Sequence, residues 1–224
     1  MTSNLTRAAG VLAVLYGARR FYRNWGTTKE ECRMPLAGDR YLDGPVVQTT
    51  EAVWIDAPAE SVWPWLVQIG QDRGGVYTFE AVESLAGLHY RSADRIHPEW
   101  QELAPGDSVR LVPRGWLGLR DGIALQVVHV DDHESIVLRT PSQDMWDAVW
   151  SFHAIPHWDN RCRLIVRIRT RLRRPGQVFV DEFVGPVQAF VIRGMLLGIK
   201  RRAQQHFQAE ASAKKASGDL HRVM

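Results

Sequence analysis

Apolar positions recur along this chain with two different periods, and each change of period marks an element. Between Val46 and Ile55 the residues Val47, Thr49, Val53 and Ile55 fall at alternate positions, which predicts a strand. From Ala57 the period lengthens. Val62, Trp65, Leu66 and Ile69 stand at i, i+3, i+4 and i+7, one apolar stripe of a helix. Asp56 is placed to cap the first turn, and Pro58 enters where its missing N–H costs no bond. Pro64 predicts a short, kinked helix. Gly70, Gly74 and Gly75 end it and allow positive φ around the polar Gln71, Asp72 and Arg73. An aromatic helix followed by a glycine-hinged polar turn is either the rim of a pocket or a corner whose rings fill a core.

A second helix is predicted over 78–88, with Phe79, Val82, Leu85 and Ala86 on its buried face. The loop from Ser92 to Trp100 is dense in groups that bind or titrate. Strands follow at about 107–113, 123–130, 135–140, 144–155 and 161–173, separated by turn signals such as Asp121-Gly122 and Asp131-Asp132-His133. Trp146, Ala148, Trp150, Phe152 and Ala154 share one strand face. Cys162, Leu164, Val166, Ile168, Thr170 and Leu172 share another, with Arg161, Arg163, Arg167, Arg169, Arg171 and Arg173 opposite. This predicts an antiparallel sheet with one dry and one wet face. A long helix is expected from Pro186 to Phe207, its stripe formed by Val187, Phe190, Val191, Gly194, Met195, Gly198, Ile199 and Arg202. Gly194 and Gly198 would let it approach a facing surface or leave room for something bound. Residues after Ala209 read as a disordered tail.

Near the N-terminus, Thr28 and Glu31 are spaced as a capping box, with Thr27 and Glu30 as the alternative register. The apolar run 8–16 lies between Arg7 and the group Arg19, Arg20 and Arg23. It falls well short of the roughly 20 residues a span requires, and no good cleavage site follows it. It packs on the domain, frays, or lies on a membrane surface. No linker divides the 224 residues, so one domain is expected over 25–208, with an extension at 1–24 and a tail at 209–224.

Charge adds a constraint. Residues 1–35 carry +4, residues 36–160 carry −11 and residues 161–224 carry +10. Either the oppositely charged parts pair within the molecule, or a basic surface faces an anionic membrane or partner. The two cysteines form no CxxC, and a reducing cytoplasm is the default location, with membrane contact through 5–23 as the alternative. His153 and His157 cannot share a helical face, so no metal site is expected. No glycine loop has phosphate-cradling context, and no nucleophile elbow exists. Nucleic acid is not an expected partner, since the arginine ladder is better bridged to acids such as Asp147.

Candidate chemistry sits around the glycine corner. Arg73 can clamp a carboxylate or enolate oxygen, Tyr77 can donate to a carbonyl, and His97, Glu80 or Tyr77 can move protons. The plainer reading makes Arg73, Asp94, Arg95 and Glu99 salt bridges that tie two loops together.

Several pieces together carry a resemblance: Trp25-Gly26-Thr27 with Glu30-Glu31, Ile55 to Pro58, Val62 to Gln68, Gly70-Gln71, Arg73-Gly74-Gly75, Ala93 to Ile96, Pro98 to Gln101, Gly106-Asp107 and Met195 to Ala203. Over about 25–203 the chain resembles the START-like, helix-grip fold of the SRPBCC superfamily, in a bacterial branch related to polyketide cyclases/dehydrases. The resemblance implies an α+β fold, a curved antiparallel sheet of about six or seven strands around a long C-terminal helix, with a ligand cavity between them. Its expected lining is Trp65, Arg73, Tyr77, Trp146, Trp150, Phe152, Phe190, Met195 and Ile199. It implies no cofactor. The expected function is binding of a hydrophobic or amphipathic small molecule or lipid. The alternatives are a cyclase/dehydratase-like enzyme and a lipid carrier docking on anionic membrane. The fold alone selects none of them.

Overall fold

The computed structural model describes residues 10, 17, 19, 23–78, 92–112, 114–115, 120–141, 147–172 and 177–223, with backbone alone at 177–184 and 218–223. Residues 79–88 of the expected second helix, the apolar run 8–16 apart from Gly10, and the residues Glu80 and Trp146 lie outside them. Six strands form one antiparallel sheet: β1 (Val46–Ile55), β2 (Ser108–Val112), β3 (Ile123–Asp131), β4 (Ser135–Arg139), β5 (Ala148–Pro156) and β6 (Cys162–Arg171). Their order is β1-β6-β5-β4-β3-β2, so the first strand pairs with the last and a run of hairpins fills the rest. Helix α1 (Ala59–Val67) follows β1, and helix α2 (Gln177–Val223) ends the chain. A six-stranded antiparallel sheet holding a long C-terminal helix is the helix-grip architecture.

The sheet buries both faces. Ile55, Val127, Ile136, Leu138, Phe152, Leu164 and Val166 form the inner wall with α1 and α2. The outer face was expected to be wet, and it is not. Residues 24–43 run across it, including a 3-10 turn at Ala37–Tyr41, and Leu42 packs there on Val137 and Val149. The arginines do share this face, but the wrap covers them. Arg163 donates to both carboxylate oxygens of Glu31, at 2.7 and 2.8 Å. Arg167, only 2% exposed, donates to Asp39, the Glu31 and Met34 carbonyls and Thr50. A guanidinium has five donors in a plane, so a passing backbone with free carbonyls can satisfy it where a sheet alone cannot.

The charge asymmetry resolves in the same way. Acids from the first two-thirds of the chain (Glu31, Asp39, Glu51, Asp56, Asp147) pair with Arg161, Arg163, Arg167, Arg169, Arg171 and Arg193. The predicted capping box forms, with Thr28 N–H donating to Glu31 at 2.8 Å and Glu31 N–H to the Thr28 hydroxyl at 3.1 Å. It closes a single turn, because the chain then spreads over the sheet.

Three further expectations are corrected. Asp56 makes no cap, since Pro58 occupies that position and Asp56 turns to Arg161 at 3.2 Å. The last helix extends through residues 210–223, read from sequence as a disordered tail. Its first seven residues, 210–216, hold Glu210, three Ala and two Lys, which lose little on entering a helix. The buried stripe of α2 is Ala189, Ile192, Met195, Leu196, Ile199 and Ala203, while Val187, Phe190 and Val191 stand exposed. The first half of α2 has more apolar residues than one face can hold, so periodicity alone cannot choose the side.

Candidate functional site

Strand parity decides which side chains enter the grip. On β1, Thr49, Glu51, Val53 and Ile55 face inward, opposite Ile168, Val166, Leu164 and Cys162 of β6. Trp150 and Phe152 of β5 lie across from Ile168 and Val166 on the same face. The part of α2 over 185–207 lies on this wall, and its first half (185–194) and second half (195–207) meet it differently.

The second half is close-packed. Trp65, Tyr77, Phe152, Met195 and Ile199 are each no more than 1% exposed, so no water-sized gap opens onto them. Gly198 is required here, because a Cβ at that position would overlap the carbonyl oxygen of Tyr77. Tyr77 takes a left-handed conformation at φ 57°. Its ring lies 5.9 Å from Trp65, edge to face, and 4.9 Å from the Arg202 guanidinium. Burial pushes its phenol up to about 12, with the Gln68 hydrogen bond and Arg202 offsetting part of the effect. Tyr77 therefore works here as a neutral wedge.

The corner above it is held by a residue that sequence reasoning did not single out. Gln68 is fully buried and donates to the Tyr77 hydroxyl at 2.9 Å and to the Arg95 carbonyl at 3.2 Å. Its oxygen accepts from His97 N–H at 3.0 Å and from Gln101 at 3.2 Å. Gly70 and Gly75 bond each other in both directions at 2.9 and 2.7 Å, closing the turn. Arg73 donates to the backbone carbonyls of Trp100 and Glu102. It ties two loops together through carbonyls, rather than through the salt bridges considered from sequence. The His97 ring stacks on Trp100 at 4.2 Å and contacts Glu99 at 3.1 Å, in the loop and away from the sheet.

The first half packs as closely, with Ala189, Ile192, Val166 and Ile168 at most 3% exposed, but it covers a charged pair. Glu51 is 1% exposed on the inner face of β1. Arg193 of α2 reaches to 3.4 Å from it and also lies 5.2 Å over the Trp25 ring. Among the described residues none donates a hydrogen bond of good geometry to either oxygen of Glu51, although Arg193 stands close enough to favour its charge. Burial pushes the carboxyl up to about 8, with Arg193 offsetting only part of it. Ala189, Ile192, Val166 and Ile168 are buried around this pair, and Trp150 is half-buried at the margin. Phe190, assigned to the lining from sequence, is 45% exposed. Glu51 was missed although a signal existed. The alternation Val47, Thr49, Val53, Ile55 passes through position 51, and an acid stands there on the apolar parity.

A solvent-open depression of about 360 Å³ also runs along the exposed side of α2, between Leu197, Lys200, Arg201, Gln204, Gln205 and Gln208.

No family model matches the chain, and no curated protein matches it in sequence. Solved structures are similar to it at low identity. Norcoclaurine synthase from Thalictrum flavum, a point mutant in complex with a transition-state analogue, is 15% identical over 74% of this chain and 98% of its own, with a TM-score of 0.43. A START superfamily protein from Mycobacterium smegmatis is 13% identical over 69% and 97%, with a TM-score of 0.40. The di-domain ARO/CYC protein BexL of the BE-7585A biosynthetic pathway is 18% identical over 71% of this chain and 50% of its own, at 0.44. Likeness at this level concerns architecture, and no activity passes from these proteins to this chain.

Proposed function

We infer that this chain binds a hydrophobic or amphipathic small molecule between its sheet and the first half of α2, at the end where Trp150 stays half-buried. One observation carries the reading: an apolar wall holds a carboxyl group, Glu51, that is almost wholly buried and accepts no hydrogen bond. Such a group costs roughly 1–3 kcal/mol or more if nothing ever reaches it, so a purely structural interior has reason to lose it. The test is gentle mass spectrometry of the protein purified from its own host, followed by organic extraction. A stoichiometric apolar compound is expected. A protein that stays bare and takes up no apolar probe would remove the reading.

Two alternatives draw on separate features. In a cyclase/dehydratase-like enzyme, Glu51 is better placed as proton donor than His97, which sits in the loop, or Tyr77, which is locked in the corner. In a lipid carrier, exposed Val187, Phe190, Val191 and Leu197 would meet anionic membrane beside Lys200 and Arg201. Among the described residues no helix is long and apolar enough to cross a membrane, so such contact would be peripheral.

A further inference from the structure

We propose that the outer side of α2 is a docking surface for an anionic lipid bilayer, with the apolar first half of the helix seated at the acyl chains and Lys200 and Arg201 on the phosphates. The proposal concerns the side of α2 turned away from the sheet. It holds whether or not a molecule lies beneath the helix, so the two readings can fail separately.

Apolar exposure is concentrated on this side. Of the six large apolar side chains that stand exposed among the described residues, Val187, Phe190, Val191 and Leu197 all belong to this one helix. Val187, Phe190, Leu197, Arg201, Gln204 and Gln208 recur three, four or seven residues apart, so they form one ridge. It runs opposite the buried Ile192, Met195, Leu196 and Ile199. The ridge changes character along its length. From Val187 to Leu197 it is apolar over roughly 15 Å. Beyond Leu197, Lys200, Arg201 and three glutamines line the open depression of about 360 Å³.

Charge selects the partner. From Phe183 to Ala209 the sequence holds no Asp or Glu, against the cations Arg193, Lys200, Arg201 and Arg202. Two of these are turned inward, Arg193 standing 3.4 Å from Glu51 and Arg202 donating to the Ala93 carbonyl. Lys200 and Arg201 face the open depression instead. An apolar ridge continued by cations matches a bilayer with negative head groups. A second copy of the same ridge is a poorer match, because this stretch brings no carboxylate to answer the cations of its mate. No helix among the described residues is long and apolar enough to cross the bilayer, so α2 would lie in the plane of the interface.

The experiment sediments the full-length protein with vesicles of phosphatidylcholine alone, and with vesicles of phosphatidylcholine and phosphatidylglycerol in about a two-to-one ratio, at low and high salt. Wild type is expected to partition about tenfold or more in favour of the anionic vesicles, and to lose that preference as salt rises. Lys200→Gln with Arg201→Gln should weaken anionic binding about thirtyfold, the loss of two surface cations. Val187→Asn with Leu197→Asn should weaken it about tenfold at either salt, since apolar burial is little screened. Thermal unfolding of both variants at the wild-type midpoint shows that the fold is kept. Equal binding to the two kinds of vesicle, or no binding, would overturn the proposal. So would anionic binding that Lys200→Gln with Arg201→Gln leaves unchanged, because the contact would then belong to another surface. A dimer in analytical ultracentrifugation that Val187→Asn with Leu197→Asn abolishes, in place of vesicle binding, would give the face to a second copy and overturn it as well.

Discussion

The two faces of the sheet both bury charge, and the best-satisfied arginines stand on the outer one. On the outer face Arg163 and Arg167 meet carboxylates and backbone carbonyls at 2.7–2.8 Å, with the N-terminal wrap supplying the acceptors. On the inner face Glu51 and Arg193 stand 3.4 Å apart with no bond of proper geometry. The outer charges fasten one part of the chain to another. Glu51 is left with unused acceptor capacity in an apolar surround, while Arg193 also lies over the Trp25 ring.

The sharpest break of this contrast is Arg167→Ala. It leaves the carbonyls of Glu31 and Met34 without this donor beneath the wrap, and Asp39 with Leu36 N–H and the more distant Arg169. Urea unfolding should show a loss of about 3–5 kcal/mol, as for a broken buried pair. A loss below about 1 kcal/mol would mean that the wrap is held by its apolar contacts alone. Within the grip, Gly198→Ala drives a methyl into the Tyr77 carbonyl. It should cost about 2–3 kcal/mol by thermal unfolding, because backbone has to move.

Titration separates the faces again. Glu51 is raised to about 8 when folded, so the native state holds a proton that the unfolded chain releases above the usual value of 4.5. Its contribution is fully present below about 4.5 and is lost as pH rises through about 8. On the outer face His153 behaves oppositely. Burial, reinforced by Arg167, pushes it down to about 4 from 6.5, so its contribution is present above 6.5 and lost as pH falls through about 4. The two slopes oppose each other between 4.5 and 6.5, and above 6.5 the Glu51 slope stands without that opposition. Stability should fall by about 2 kcal/mol from pH 6.5 to pH 8, and Glu51→Gln should flatten that fall. An equal slope in the variant would remove Glu51 as its source.

Smaller effects set the scale. Gln68→Leu should cost about 1–2 kcal/mol in denaturant titration, since it strips partners from Tyr77, His97 and Gln101 at once. Arg110→Ala, whose partner Asp72 is exposed, should stay within about 0.5 kcal/mol.

Much of the architecture was legible from period alone. β1 spans the predicted Val46–Ile55, and the other five strands fall within a few residues of their expected ranges. The sheet could be read because an apolar face and an arginine-rich face alternate along the strands, whether or not the second is later covered. The wrap could not, since residues 24–43 have no period and their place depends on arginines more than a hundred positions later in the chain. Rotation of α2 was ambiguous because Val187, Phe190 and Val191 are as apolar as Ala189, Ile192 and Met195, and only the close approach of Gly198 to Tyr77 selects a side. Arg73 looked like a ligand clamp because sequence does not show that two carbonyls will occupy it. Gln68 gave no signal beyond its place at the end of an apolar helix. Glu51 did give one, as an acid on the dry parity of a strand.

The most direct measurement is a methyl NMR titration of isoleucine-labelled protein with 1-decanol. Ile168 and Ile192 lie on the inner side of the sheet and on the buried stripe of α2, whereas Ile165 points into the outer face against the wrap. Saturable shifts at Ile168 and Ile192, with Ile165 unmoved, are the predicted result. Shifts concentrated at Ile165, or none at any isoleucine at saturating probe, would contradict a ligand site beneath the first half of α2.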